Sequence, residues 1–169
     1  MDKRFIVNKE ELTKHLVEYI TKDTIVVCVG TKKVWWDKLA PMVGTLLKNN
    51  NFPLEVMGTM KDNVHAINLK ERVDSIEKGR NIIAIDSAVG NRDGLGQVKI
   101  GNVPLHPGAG VDKELISVGD CSILGVSIEK SRANFWNYYE YGTKEEESMV
   151  KDMAFTIVDA LMEACKKFY

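Results

Sequence analysis

The chain has 169 residues, 44% of them hydrophobic and 28% charged, which is the composition of an ordinary globular protein long enough to form one domain. Its formal net charge of −1 gives no reason to expect nucleic acid or an anionic membrane as a partner. The first residues lack the apolar core of a signal peptide, and no apolar run approaches the roughly 18 residues of a membrane span. We therefore predict a single cytoplasmic domain, residues 1–169.

The first predicted elements are a helix, a buried strand and a second helix. Asn8 followed by Glu11 is the capping-box pattern of a helix start. Residues 25–29, IVVCV, form an uninterrupted apolar run rich in β-branched residues, which is typical of a strand buried on both faces. Apolar residues recur at helical spacing over residues 39–47, with Pro41 in the first turn, and predict an amphipathic helix.

Two further strands follow, with a helix between them. Residues 54–57 and 81–86 are short apolar runs bounded by turn residues, and each predicts a strand. The intervening helix is expected to begin near Asp62 and to stop at Gly79. Its predicted inward residues are Val64, Ile67, Val73 and Ile76.

The second half of the chain begins with a glycine-rich segment. No helix directly follows residues 90–96, GNRDGLG, so we interpret them as a hairpin turn rather than a phosphate-binding loop. Residues 97–100 and 121–128 predict strands. A shorter helix fits residues 131–141, and a long helix is expected to begin near Lys144.

Together these elements predict an α/β fold. It is a single-domain, three-layer sandwich in which helices cover both faces of a mostly parallel, twisted sheet with right-handed crossovers. The three cysteines, Cys28, Cys121 and Cys165, are far apart and form no CxxC motif. We therefore predict buried, reduced thiols rather than zinc ligands.

Two aspartates follow buried strands of the predicted sheet. Asp37 lies in the loop after the first strand, and Asp86 ends the third. Ligands of open α/β sheets bind beyond the carboxyl ends of the strands, so a strand order of 2-1-3 brings both acids to one crevice. Two carboxylates held close raise each other's proton affinity, and such a pair can activate water for attack on an amide or bind a divalent metal. The alternative is that each acid caps the turn or helix that follows it.

Three other residues are candidates for contacts with a substrate. His65 near the start of the predicted helix can face the same crevice, although a hydrogen bond at the helix end is an equally simple role. His106 in the proline–glycine loop can lie over the crevice. Trp36 is the third candidate. It can close a groove for a peptide, together with Trp35 and the aromatic residues of 135–139, or these aromatic side chains can simply pack in the core.

Several segments, taken together and in this order, resemble the YyaC-type sporulation proteins of spore-forming bacteria. These segments are VVCVGT at 26–31, Asp37 ahead of PMVGTLL at 41–47, VHAINL at 64–69, IIAIDSAVG at 82–90, PLHPGAGV at 104–111 and VGDCSILGV at 118–126. That family is similar to the germination protease and, more distantly, to the hydrogenase-maturation endopeptidases. The resemblance implies a peptidase-like α/β fold with two acids in the site, at positions that match Asp37 and Asp86.

The resemblance also implies a function and a place in the cell. It predicts a peptidase-like hydrolase of sporulating or germinating cells, located in the cytoplasm of the forespore or spore, with a protein or peptide as substrate. The maturation enzymes use such acids with a histidine to recognise nickel, so a divalent metal at Asp37 and Asp86 is an option, and no other cofactor is expected. A homo-oligomer is left open.

The first loop departs from the pattern of the family it resembles. That pattern is G-T-D-R-x-x-G-D-x-L-G-P, whereas residues 30–41 read GTKKVWWDKLAP. Lys32 stands in place of an acid, and Trp36 and Ala40 stand in place of glycines that permit close backbone approach. A lysine near the crevice is also expected to lower the pKa of the carboxyl groups. The alternative function is therefore a weakened or inactive relative that binds a protein partner and regulates it.

Overall fold

A computed structural model describes residues 3–108, 115–133 and 141–169 as an α/β fold. In chain order the strands are β1 Phe5–Val7, β2 Thr24–Cys28, β3 Glu55–Met57, β4 Asn81–Gly90, β5 Val98–Gly101 and β6 Cys121–Glu129. The α-helices are α1 Lys9–Tyr19, α2 Leu39–Asn49, α3 Leu69–Asp74, α4 Lys130–Ala133 and α5 Lys144–Ala164. Short 3₁₀ helices span Arg92–Gly94 and Cys165–Phe168.

The described strands form one six-stranded sheet in the order β1-β5-β6-β4-β2-β3. Strands β3, β2, β4 and β6 are parallel, whereas β5 runs antiparallel to both β6 and β1. The order β3-β2-β4 is the 2-1-3 arrangement on which the hypothesis of a shared crevice depended. Every residue of β2 is buried, as its uninterrupted apolar run predicted.

The sheet carries a layer of structure on each face, which confirms the predicted sandwich. Along β2 the side chains alternate, so that Val26 and Cys28 join the apolar cluster under α1, α2 and α5. Ile25 and Val27 join the cluster on the opposite face, which also contains Leu69 of α3. In the described part of the chain, no helix combines the length and hydrophobicity that a membrane crossing requires.

The predicted starts of the first and last helices and the predicted free, buried state of the thiols are confirmed. Asn8 and Glu11 form a capping box at α1, and Thr143 and Glu146 form another at α5. The three cysteines are free and buried. Burial raises the pKa of the Cys28 thiol to about 12.

The helix predicted from Asp62 to Gly79 is wrong in extent, because α3 spans only Leu69–Asp74. Asp62 caps no helix and instead forms a bidentate ion pair with Arg72, with both N–O distances at 2.8 Å. Ile67, predicted to point inward, is 93% exposed.

Local hydrogen bonds explain the shorter helix. The backbone N–H of His65 donates to Asn68 Oδ1 at 2.8 Å, and Asn68 Nδ2 donates to the carbonyl oxygen of Asn63 at 2.9 Å. Such side-chain bonds compete with helix formation. Val64, between them, forms an isolated parallel bridge with Val29 and so extends the edge of the sheet.

Two predictions about the middle of the chain are also wrong. Strand β4 continues to Gly90, so Asp86 lies within the strand, opposite Leu124 of β6, and not at its end. The predicted hairpin at residues 90–96 is absent, because β6 lies between β4 and β5 and pairs with both.

Strand β1 was not predicted. Of the shorter helix predicted at residues 131–141, the described part is α4, and residues 134–140 lie outside the described residues.

Candidate functional site

A cavity of about 390 Å³ lies at the carboxyl ends of the central parallel strands. The loop after β2 contributes Gly30, Trp36 and Asp37 to its wall, and β4 contributes Asp86 and Ser87. Further lining residues come from the N-terminus, the residue after β2, the segment before α3, β4, β6 and the segment after β5; they are Arg4, Val29, Ala66, Ala88, Val89, Leu105, His106, Pro107, Gly108, Leu115 and Leu124. The cavity therefore occupies the crevice where ligands bind in open α/β sheets.

Backbone hydrogen bonds hold the loop that carries Asp37. The Gly30 N–H donates to the carbonyl oxygen of Val64 at 2.8 Å, next to the parallel bridge between Val29 and Val64, and so fixes the start of the loop. The Thr31 N–H then donates to Asp37 Oδ2 at 3.0 Å. Lys38 occupies the N-cap of α2, and that position has no side-chain capping bond. Asp37 thus closes its own loop and does not cap α2.

Asp86 is a partly buried acid whose proton affinity is increased by its surroundings. Its pKa lies well above the ordinary value, first because of burial and second because of the negative charge of Asp37. The Ser87 N–H, which donates to Asp86 Oδ1 at 2.8 Å, and the positive charge of Arg4 lower the pKa by smaller amounts. The surroundings of Asp86 therefore favour its protonated form.

Arg4 is a cavity residue that sequence reasoning missed. Its Nε donates to Ser122 Oγ at 2.7 Å, and its Nη2 donates to the carbonyl oxygen of Pro104 at 2.8 Å. The expected cations were lysines of the first loop, but Arg4 is the one that lowers the pKa of Asp86. No local pattern marks Arg4, because the pairing of β1 with β5 brings it to the cavity.

The structure places the other predicted residues in different positions. His106 and Trp36 line the cavity, and His106 Nδ1 is hydrogen-bonded to Ser117 Oγ at 3.0 Å. His65 is absent from the described lining, and its Nδ1 accepts a hydrogen bond from the Ile67 N–H at 3.3 Å. His65 therefore makes a local hydrogen bond just before α3, which corresponds to the alternative role considered for it.

The two neighbouring tryptophans occupy different environments. Trp35 is 1% exposed and packs in the core, with the guanidinium of Arg132 located 5.6 Å from the centre of its ring. Trp36 is only partly buried and faces the cavity, and its carbonyl oxygen accepts a hydrogen bond from Ser127 Oγ at 2.8 Å. The aromatic residues at 135–139 lie outside the described residues.

Two polar atoms of the cavity-lining residues have no partner within the described part of the chain. They are Ser87 Oγ and Trp36 Nε1, and both atoms are buried. A buried polar atom without a hydrogen bond costs about 1–3 kcal/mol. Sequence reasoning missed Ser87 as a lining residue because a serine directly after Asp86 carries no distinctive signal.

The chain matches, over residues 3–159, the family described as "Protein of unknown function (DUF1256)". It belongs to the DUF1256 family. It is also 35% identical over 156 residues to the protein of Bacillus subtilis (strain 168) named "Uncharacterized protein YyaC", and the match covers 89% of the chain and 73% of that relative. The predicted resemblance to YyaC-type proteins is thus confirmed.

In this DUF1256 protein a metal has few candidate ligands. Among residues 3–108, 115–133 and 141–169, no group of three or more His, Cys, Asp or Glu side chains is arranged to hold a metal ion. Asp37 and Asp86 are two carboxylates, whereas divalent cations take about four to eight ligands. The described side chains do not form a complete metal site, so we derive no chemical step from a metal.

Proposed function

We propose that this DUF1256 protein is a peptidase-like hydrolase in which Asp37 and Asp86 activate water against a peptide bond. The observation that carries the proposal is the shared cavity in which burial and the charge of Asp37 raise the pKa of Asp86. Two carboxyl groups with different proton affinities can divide the roles of base and acid between them.

The reaction follows from that division of roles. Asp37, ionised, removes a proton from a water molecule while the water oxygen attacks the peptide carbonyl carbon. Asp86, protonated, donates its proton to the carbonyl oxygen, which gives a neutral tetrahedral diol. The C–N bond then breaks as the leaving nitrogen takes the proton held by Asp37. The diol returns a proton to Asp86, so both acids end in their starting states.

The wall of the cavity supports a peptide as substrate. Apolar residues surround the two acids, among them Leu105, Leu115 and Leu124, and they can bury side chains next to a scissile bond. Trp36 and His106 add groups that can contact peptide backbone or side chains. The resemblance to the germination protease supports the same class of substrate and a role in sporulating or germinating cells.

Peptide hydrolysis by matched variants tests the proposal. A digest of denatured casein is incubated with the native protein, Asp37→Asn, Asp86→Asn and Asp93→Asn, and new termini are counted by mass spectrometry. Asp93 is exposed and is not a cavity-lining residue, so its variant is the control. We expect each cavity variant to lose about 10²-fold or more in rate. Equal rates for the native protein and Asp86→Asn would remove the acid pair from the mechanism.

A second candidate function is partner binding without catalysis. The observation that favours it is that Trp36, at a position where the resembled loop has glycine, lines the cavity beside the acids. In this case no variant hydrolyses peptides, and the Asp86→Asn protein still binds its partner. A Trp36→Gly variant, rather than an aspartate variant, should then abolish binding.

A further inference from the structure

We infer that the mouth of the cavity selects acidic peptide segments by means of Lys32, Lys33 and Lys61, which we call the lysine rim. The inference rests on the proposed function, because it names the substrate class of the same cavity. Lys32 and Lys33 belong to the loop between Gly30 and Asp37, both of which line the cavity. Lys61 lies two residues before Asn63, whose side chain accepts a hydrogen bond from the backbone N–H of Lys32.

Hydrogen bonds hold the backbone of the lysine rim in place. The Lys32 N–H donates to Asn63 Oδ1 at 3.0 Å, and the Lys33 N–H donates to Thr31 Oγ1 at 3.2 Å. Asn63 is itself anchored, because its Nδ2 donates to the carbonyl oxygen of Thr59 at 2.7 Å. The backbones of Lys32 and Lys33 are therefore held next to the lining residues of their loop, and Lys61 lies two residues before Asn63, which binds Lys32.

Within residues 3–108, 115–133 and 141–169, no acid forms an ion pair with the lysine rim. All three lysines are exposed. The adjacent acid, Asp62, is engaged by Arg72. In contrast Lys38, at the end of the same loop, pairs with Glu147 at 2.6 Å. Among the described carboxylates, the lysine rim therefore has no ion-pair partner, in a chain whose net charge is −1.

The interior of the cavity does not cancel the charge of the lysine rim. Asp86 favours its neutral form, and the positive charge of Arg4 acts on the same cavity as the negative charge of Asp37. An exposed apolar residue, Ile67, stands next to the lining residue Ala66. The mouth therefore attracts acidic side chains of a peptide, with electrostatic attraction contributing to specificity and to the rate of association, and Ile67 offers an apolar contact beside it.

Three synthetic peptides test the inference. They share one length and one set of apolar residues and differ only in carrying Glu, Gln or Lys at the remaining positions. Their binding to the native protein is measured by calorimetry at low and at physiological salt. We expect the Glu peptide to bind about tenfold more tightly than the Gln peptide at low salt, and the preference to shrink as salt is added.

A charge-reversal pair and its control locate the effect. Lys32→Glu/Lys33→Glu should abolish the preference for the Glu peptide. Lys22→Glu/Lys78→Glu changes the net charge equally, but these exposed lysines precede β2 and β4 and lie at the opposite edge of the sheet. This control should keep the preference. An equal loss in both double variants, equal binding of the Glu and Gln peptides, or binding of none of the three peptides overturns the inference.

Hydrolysis of the same peptides separates this inference from the proposed function. If Asp86→Asn abolishes cleavage but Glu and Gln peptides are cleaved and bound alike, the hydrolase proposal stands and the inference fails. If no peptide is cleaved but the Glu preference depends on Lys32 and Lys33, the hydrolase proposal fails and the lysine rim is retained as a binding surface.

Discussion

The Val29 N–H donates a hydrogen bond to the carbonyl oxygen of Ile85 at 2.8 Å, which joins the carboxyl end of β2 to β4 one residue before Asp86. The chain then turns at Gly30 and returns, so that Asp37 Oδ2 accepts from the Thr31 N–H. This backbone hydrogen bond between two parallel strands thus helps to bring Asp37, in the loop after β2, and Asp86, in β4, to one cavity. Four predictions follow from the environment of this pair.

The stability of the protein should fall as pH rises through the pKa of Asp86. That pKa is raised in the folded state, so folding takes up a proton between the ordinary and the raised value. The stabilisation is complete below the ordinary aspartate pKa and is lost as pH increases. The side chain in Asp86→Asn cannot ionise. The free energy of unfolding of this variant, relative to the native protein, should therefore increase with rising pH by at most about 1.4 kcal/mol per pH unit.

Urea denaturation at a series of pH values measures this difference. Asp62→Asn is a control of opposite sign, because the hydrogen bond from Arg72 lowers the pKa of Asp62. The contribution of Asp62 is present above its ordinary pKa and is lost as pH falls. A gap between the native protein and Asp86→Asn that stays constant with pH would contradict the raised pKa.

Removing the charge of Asp37 should lower the pKa of Asp86. Asp37→Asn keeps an oxygen that can accept from the Thr31 N–H but abolishes the negative charge that raises the pKa of Asp86. The titration of the Asp86 carboxyl carbon, followed by NMR, should shift to lower pH. Burial remains in the variant, so the pKa should stay above the ordinary value. The control Asp93→Asn should leave the titration of Asp86 unchanged. If Asp37→Asn also left it unchanged, the charge of Asp37 would not influence the pKa of Asp86.

Gly30→Ala should disrupt the loop that carries Asp37. A Cβ at Gly30 would lie 2.3 Å from the backbone carbonyl oxygen of Asp37, so the loop has to move. We expect a loss of about 1–3 kcal/mol in the free energy of unfolding from this overlap. The variant should also lower the pKa of Asp86, since Asp37 is displaced.

Gly79→Ala is the matched control for this substitution. Gly79 has a φ of +86°, but a Cβ there would meet no atom within 4 Å. Its cost is therefore backbone strain alone, about 1–2 kcal/mol. Thermal or urea denaturation should show a greater loss for Gly30→Ala than for Gly79→Ala. Equal losses would mean that the close approach of Gly30 to Asp37 does not matter.

Two serines near the cavity should respond oppositely to alanine substitution. Ser87 Oγ is buried and has no hydrogen-bond partner among the described residues, so Ser87→Ala should leave stability unchanged or increase it by about 1 kcal/mol. Ser127→Ala removes the donor to the carbonyl oxygen of Trp36 and should cost about 1–3 kcal/mol. Denaturation of both variants checks the contrast. A comparable loss in Ser87→Ala would reveal a stabilising role for its hydroxyl.

Local sequence was sufficient where a few adjacent residues decide the structure. The apolar run of β2 and the capping box of Asn8–Glu11 at α1 involve residues at most a turn or a strand apart, and each element forms where the pattern places it or very close by. The α/β alternation followed from the same local signals, whereas the adjacency of β2 and β4 was an assumption that only the structure bears out.

The partners of distant residues were decided only by the tertiary structure. Pairing with β6 extends β4 past Asp86 to Gly90, and pairing of β1 with β5 brings Arg4 to the cavity. Bonds to Asn63 and Asn68 shorten the helix predicted from residue 62. Periodicity and capping depend on a few neighbouring residues. Strand pairing and burial depend instead on which distant segments come into contact, because no short stretch of sequence specifies its partner.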